Sequence, residues 1–235
     1  RDRFRIALVL FFGEEVKFGP IVCIKEMENG DLDGIVMWDR ITERFPMGRP
    51  DEFCITSGDI EQLTTLFNQL IQGFRAPLFK IPIDRLVAAK SSKAIPSDTI
   101  VDQSIALEAL YLSKDTEKGQ TLAQRGAAFL GINDADRQEI YINLRSFYKA
   151  RNKILHEGEE CPTVHLNTCT RKDSVQLRDW CFKHLREAIR KLLADRRYFT
   201  MDKGSFVSEL RNTAKPWESQ FECVDKQTFQ QSLQM

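Results

Sequence analysis

At 235 residues the chain is long enough for one large domain or two modest ones, each able to bury a core. With 42% hydrophobic residues, 29% charged residues and a formal net charge of +0, it has the balance of an ordinary globular protein, which excludes a disordered, fibrous or uniformly basic chain. Contact with nucleic acid must therefore come from local patches, and no apolar run approaches the roughly 18 residues of a membrane span, so a cytoplasmic chain with no membrane partner is expected. It opens on Arg1-Asp2 rather than Met, which leaves room for it to be a segment of something longer.

In chain order, the first part reads as α/β. Phe4 to Phe12 and Val16 to Met27 are rich in Val, Ile and Phe and predict two strands. A third is expected after Asn29-Gly30-Asp31, at Gly34-Ile35-Val36-Met37-Trp38. Thr56-Ser57-Gly58-Asp59 then supplies cap chemistry for a helix from about Ile60 to Phe74, with Leu63, Leu66, Phe67, Leu70 and Ile71 on one stripe. No glycine-rich phosphate loop or nucleophile elbow occurs here, so residues 1–96 are expected to be a small α/β scaffold or recognition domain. The polar stretch Ala89 to Pro96 marks its end.

Residues 97–199 predict four helices. Ser97 or Asp98 caps helix one, Thr99 to Leu112, and helix two runs from Glu117 to Leu130 and stops at Gly131, which accepts a left-handed conformation. Asn133 or Asp134 caps helix three, which runs through Leu144 and Tyr148 toward His156 and is ended by Gly158 and Pro162. Asp173 to Arg197 forms the last helix, with Val175, Leu177, Trp180, Leu185, Ile189 and Leu192 as core positions. Short connections make an antiparallel bundle the expected architecture, so the chain as a whole is assigned to the α+β class. Residues 200–235 are expected to be a C-terminal extension docked on a neighbour.

The six cysteines are scattered, and reduced thiols are expected. Cys161-x3-His165-x3-Cys169, with Cys181 and His184 downstream, offers enough soft ligands for a tetrahedral zinc, but the spacing matches no standard zinc module. Loop cysteines with no metal and no other cofactor are the expectation.

Ionisable residues in register with an apolar stripe call for explanation, because charge is costly to bury. On helix one Glu108 shares a face with Val101, Ile105 and Leu112; on helix three Arg151 shares one with Leu144, Phe147 or Tyr148, and Leu155. Glu108 is therefore expected to pair with Arg151 or with Arg125 on helix two. Asn152 and His156, four apart, stand side by side. Arg151 and His156, five apart, lie about 140° apart around an ideal helix. They meet only if the helix loosens near Gly158, or if two copies pack about a twofold axis, and the second arrangement predicts a homodimer.

The pattern Arg151-Asn152-x3-His156 at the end of the third helix of a small bundle resembles the Arg-x(4 to 6)-His motif of HEPN domains. Helix one from Val101 to Leu110, helix two from Leu122 to Gly131 and Phe147-Tyr148-x2-Arg151-x4-His156 look like the ApeA-like branch. The resemblance covers about residues 97–199. It implies metal-independent RNA cleavage by a dimer with a composite site, in a toxin or anti-phage defence setting with an antitoxin or other regulatory partner. One subgroup carries a modifiable Tyr two residues after the histidine; Gly158 stands there, so that regulation is not implied.

In such an enzyme the RNA 2'-OH is the nucleophile. His156 serves as general base or acid, since an imidazole with a reference pKa of about 6.5 suits proton transfer near neutrality. Arg151 stabilises charge on the transition state and Asn152 orients His156 or the phosphate, with Glu108 and Arg125 in support. Basic residues of the last helix, among them Arg178, Lys183, Arg186 and Arg190, can track the RNA backbone or form a solvated helix face. The competing reading is a non-catalytic module in which Arg151 and His156 hold a nucleotide or a partner protein.

Overall fold

The computed structural model describes residues 2–13, 21–26, 32–37, 57–74, 76–90, 96–159, 163–167 and 170–223. The apolar run at the N-terminus is not a strand but a helix, α1 (Asp2–Phe12). Ile6, Ala7, Leu8, Val9 and Leu10 are all buried in succession, which a strand achieves only between two covering layers and a helix achieves when surrounded. Here α2 (Ser57–Gly73), α3 (Pro77–Ala89) and α7 (Ser174–Ala194) surround it. A short apolar run has no periodicity to separate the two cases, and the tertiary setting decides.

β1 (Ile21–Glu26) and β2 (Leu32–Met37) pair antiparallel, with Ile21 opposite Met37 and Glu26 opposite Leu32. Among the described residues no third strand joins this ribbon, which leaves no sheet face for α2 to pack on. The expected α+β class, with a small α/β domain at the N-terminus, is thereby overturned: the molecule is predominantly helical. On α2, Leu63, Leu66 and Leu70 are buried as the stripe requires, while Ile71 is exposed. Helix α3 was invisible to periodicity because it carries two prolines. Pro77 sits in its first turn, where no intrahelical donor is needed, and Pro82 lies inside it, buried.

The bundle continues with α4 (Pro96–Tyr111), α5 (Lys118–Leu130) and α6 (Asp134–Asn152), the ribbon β3 (Thr163–Asn167) and β4 (Thr170–Asp173), α7, and α8 (Lys203–Ala214). Asn133 caps α6, its side-chain oxygen accepting from the Asp136 amide at 2.9 Å, and Asp173 caps α7 by accepting from the Gln176 amide at 2.8 Å. Gly131 does end α5, but with φ −65° rather than in the left-handed region. Glycine is needed there for space: a Cβ would overlap the Arg137 side chain and meet the Ala127 carbonyl oxygen at 2.7 Å.

One apolar core joins these helices, with Leu8 of α1, Phe79 of α3, Leu107 of α4, Phe147 of α6, Ile189 of α7 and Phe206 of α8 in a single cluster. It runs without a break across the polar stretch at 89–96. Within α7, Leu177, Leu185, Ile189 and Leu192 are buried, whereas Val175 is exposed and Cys181 takes the interior place. Trp180 is half-buried and stacks on His184 with ring centroids 5.2 Å apart. Helix α8 packs on α5, and beyond it Phe221 stacks on Tyr141 at 4.6 Å and 12° between planes, so the C-terminal extension is anchored in the core as far as Phe221.

Candidate active site

Helix α6 does not end at Asn152. It passes into one π-helical turn, Lys153–Glu157, closed by Gly158 at φ +71°, a left-handed conformation that favours glycine. A π turn bonds i to i+5 and so carries each following residue round to a new face. Within it Leu155 is 45% exposed, while Ile154 packs against the core as α-helical spacing from Phe147 and Ala150 already requires. The expectation that Leu155 shares the face of Leu144 and Arg151 fails for this reason.

The same turn brings residues five apart closer in azimuth than an ideal α-helix allows. Arg151, Asn152 and His156 line one cavity of about 590 Å³ within a single chain. The loosening near Gly158 is thus the arrangement observed, and the twofold axis is not needed to bring the three together. The opposite wall is the segment 116–120, the entry to α5. Gly119 permits that approach: a Cβ there would stand 2.8 Å from Cδ1 of Tyr148.

Arg151 is held from several sides. Its Nη1 donates to Asn152 Oδ1 at 3.0 Å, its Nη2 lies 3.6 Å from Glu108 Oε1, and the guanidinium sits 5.4 Å over the Tyr148 ring. Its Nε is buried with no hydrogen-bond partner. Glu108, with a quarter of its side chain exposed, also accepts from the Tyr148 hydroxyl at 3.2 Å and lies 3.8 Å from Lys118 Nζ. Burial, and then the Glu108 charge, push the Tyr148 phenol above its ordinary range, so it stays a donor at neutral pH.

Of the two expected partners of Glu108, Arg151 is the one the fold delivers. Arg125 is engaged elsewhere: its Nη1 donates to the Tyr111 carbonyl at 2.7 Å and its two terminal nitrogens to the Asp115 carboxylate at 2.8 Å each. The Arg125 hydrogen bonds hold the Asp115 carboxyl below the usual carboxylate range. Arg125 therefore fixes the turn between α4 and α5, one step removed from the cavity.

The basic residues expected on α7 do not line this cavity. Arg178 pairs with Asp179 at 2.9 Å, Arg186 and Arg190 with Glu187 at 3.4 and 3.8 Å, and Lys183 is exposed. Arg186 lies against Gly13 at the end of α1, and Arg190 borders a different depression beside Phe11 and Glu61. Besides Arg151, the cations that line the cavity are Lys118, Arg145 and Lys149, none of them singled out by the sequence. The spacing Arg145, Lys149, Asn152 and His156, at steps of four, three and four, was the available signal.

Cys161, Cys169 and the side chain of His165 lie outside the described residues. Cys181 and His184 point into the core. Burial raises the Cys181 thiol well above its usual range and pushes His184 down to about 3, and His184 Nε2 shares a 3.1 Å hydrogen bond with the Tyr111 hydroxyl. Among the described residues no three His, Cys, Asp or Glu side chains are grouped to hold a metal ion, and no helix is long and apolar enough to cross a membrane.

Chemically, the cavity joins a largely buried guanidinium and three further cations to an exposed imidazole at the end of α6. That combination can bind a phosphate and move a proton beside it. No protein-family model matches the chain, and no curated protein or solved structure is significantly similar to it.

Proposed function

We propose that the chain is a metal-independent endoribonuclease of HEPN type acting at the Arg151–His156 cavity. The observation that carries this reading is the shared cavity: Arg151, Asn152 and His156, the last of them in the π turn, all line one space of about 590 Å³. In the reaction the 2'-oxygen of the substrate ribose forms a bond to the adjacent phosphorus as the bond to the 5'-oxygen of the next nucleotide breaks. His156 takes the 2'-hydroxyl proton or delivers one to the leaving 5'-oxygen, the two roles falling to one imidazole in successive steps or to a second acid. The products are a 2',3'-cyclic phosphate and a 5'-hydroxyl, and no electron changes hands.

Arg151 stabilises the extra negative charge that builds on the phosphoryl oxygens. Glu108 and Tyr148 keep its fork pointed at the cavity, and Asn152 is the only neutral amide bonded to it among the described residues. The resemblance over residues 97–199 supports a second copy as partner. One chain already lines the cavity with all three residues, so the dimer is proposed on the resemblance alone.

The test is cleavage of single-stranded RNA in EDTA by the intact chain and by His156→Ala. The wild type is expected to cut with chelator present and His156→Ala to lose about 10²-fold or more. Cutting abolished by EDTA overturns the metal-free mechanism, and a folded wild type that binds RNA without cutting it supports the non-catalytic module instead.

A further inference from the structure

Three cations of the cavity, Lys118, Arg145 and Lys149, are left once Arg151 and His156 are assigned to the scissile phosphate. Arg145 and Lys149 stand four apart on α6, on the face that leads toward Asn152 and His156, and both line the cavity. Six residues at 1.5 Å each put Arg145 about 9 Å along the helix from Arg151. One phosphate group cannot touch both. Facing them across the cavity is the start of α5, where Lys118 stands at the first helical position and Glu117 makes no side-chain cap bond. Four cationic side chains line the space, with Glu117 the one carboxylate among the lining residues. The basic residues of α7, Arg178, Lys183, Arg186 and Arg190, do not line it.

We infer that Arg145 and Lys149, with Lys118 opposite, form a second phosphate subsite that takes the phosphate next to the scissile one, so that the substrate is an unpaired RNA strand running along α6 rather than along α7. A cavity of about 590 Å³ is the size of a pocket for one small ligand and admits a single splayed nucleotide. The backbone of the strand therefore enters over Arg145, passes Lys149 and reaches Arg151 with one nucleotide between the two phosphates. This inference rests on the ribonuclease reading for the meaning of the first subsite, but its own content is a matter of binding.

Binding and cutting are therefore measured apart. The probes are 2'-O-methyl uridine di- and trinucleotides, which carry one and two phosphodiesters and lack the nucleophile, and fluorescence anisotropy gives their affinity for the intact chain. The second phosphate is expected to tighten binding about 10-fold in wild type. That gain disappears in Arg145→Gln/Lys149→Gln and persists in Arg186→Gln/Arg190→Gln. The slope of log affinity against log salt should also become shallower by about 0.7 for each phosphate that is no longer neutralised. Circular dichroism confirms that each variant keeps its helices. A gain that survives the α6 pair, or one abolished by the α7 pair, overturns the subsite even if RNA is cut in EDTA. An α6-dependent gain in a protein that cuts no RNA keeps the subsite and removes the nuclease.

Discussion

Replacing Asp115 by Ala removes one half of an ion pair that is nearly closed to solvent. The Arg125 side chain is 4% exposed and that of Asp115 12%, and the pair is bidentate at 2.8 Å on both oxygens. A buried pair broken from one side costs about 3–5 kcal/mol, because the remaining charge is left without its counterion. Arg125 keeps the Tyr111 carbonyl at 2.7 Å, so the lower end, about 3 kcal/mol, applies. For a chain of this size that lowers Tm by about 6–12 °C. Thermal unfolding followed by circular dichroism reads it directly.

The pH dependence has a fixed sign. Asp115 is held below its ordinary range in the fold, so its contribution is present above the carboxylate's unfolded value of about 3.9 and is lost as pH falls through the lower folded value. The difference between wild type and Asp115→Ala should be constant from about pH 5 upward and shrink below about pH 4. The double variant Arg125→Met/Asp115→Leu, which leaves no unpaired charge, should lose less than Asp115→Ala. A fall in Tm of less than about 2 °C for Asp115→Ala, or a double variant worse than the single one, would refute this account of the α4–α5 turn.

Glu108→Gln keeps a bond acceptor for Tyr148 but removes the charge facing Arg151; kcat on RNA is expected to fall about 10-fold with little change in KM, which steady-state kinetics would show. Gly158→Ala meets no neighbour within 4 Å, so its effect is conformational alone: about 1 kcal/mol lost in denaturant melts from the φ of +71°, with activity falling more than stability because the π turn sets His156. Lys203, whose amine donates to the Ala109 carbonyl, is lowered to about 8 mainly by burial. The unfolded chain holds that proton more tightly, so wild type should gain stability relative to Lys203→Met as pH rises from about 8 to about 10.5, and a pH-independent difference would contradict the burial.

The start of α6 was legible because caps are local chemistry, Asn133 bonding the amide three residues on whatever packs nearby, whereas α4 begins at Pro96, so that Ser97 and Asp98 lie inside it and do not cap it. The half-burial of Glu108 was legible as well, since it follows from its place on an apolar face. Helix α1 was not, because five apolar residues in a row have no period, and their helical state depends on α2, α3 and α7 arriving from far along the chain. Loosening near Gly158 was one of two arrangements the spacing left open, but its form as a π turn was not legible. Nothing in Lys153-Ile154-Leu155-His156-Glu157 forbids an α-helix. With that turn Arg151, Asn152 and His156 line one cavity of a single chain. Arg145 and Lys149 escaped notice since a basic pair on a helix face is ordinary until the α5 entry is seen across from it.

The most direct measurement is complementation between inactive variants. Arg151→Ala and His156→Ala chains are unfolded together, refolded as a mixture and assayed on single-stranded RNA in EDTA beside wild type. With Arg151 and His156 serving the same cavity of one chain, every mixed pair lacks an intact site, and the mixture stays as inactive as either variant while wild type cuts. Recovery of a sizeable fraction of wild-type activity in the mixture would place the two residues in one site from different copies, and would contradict the account.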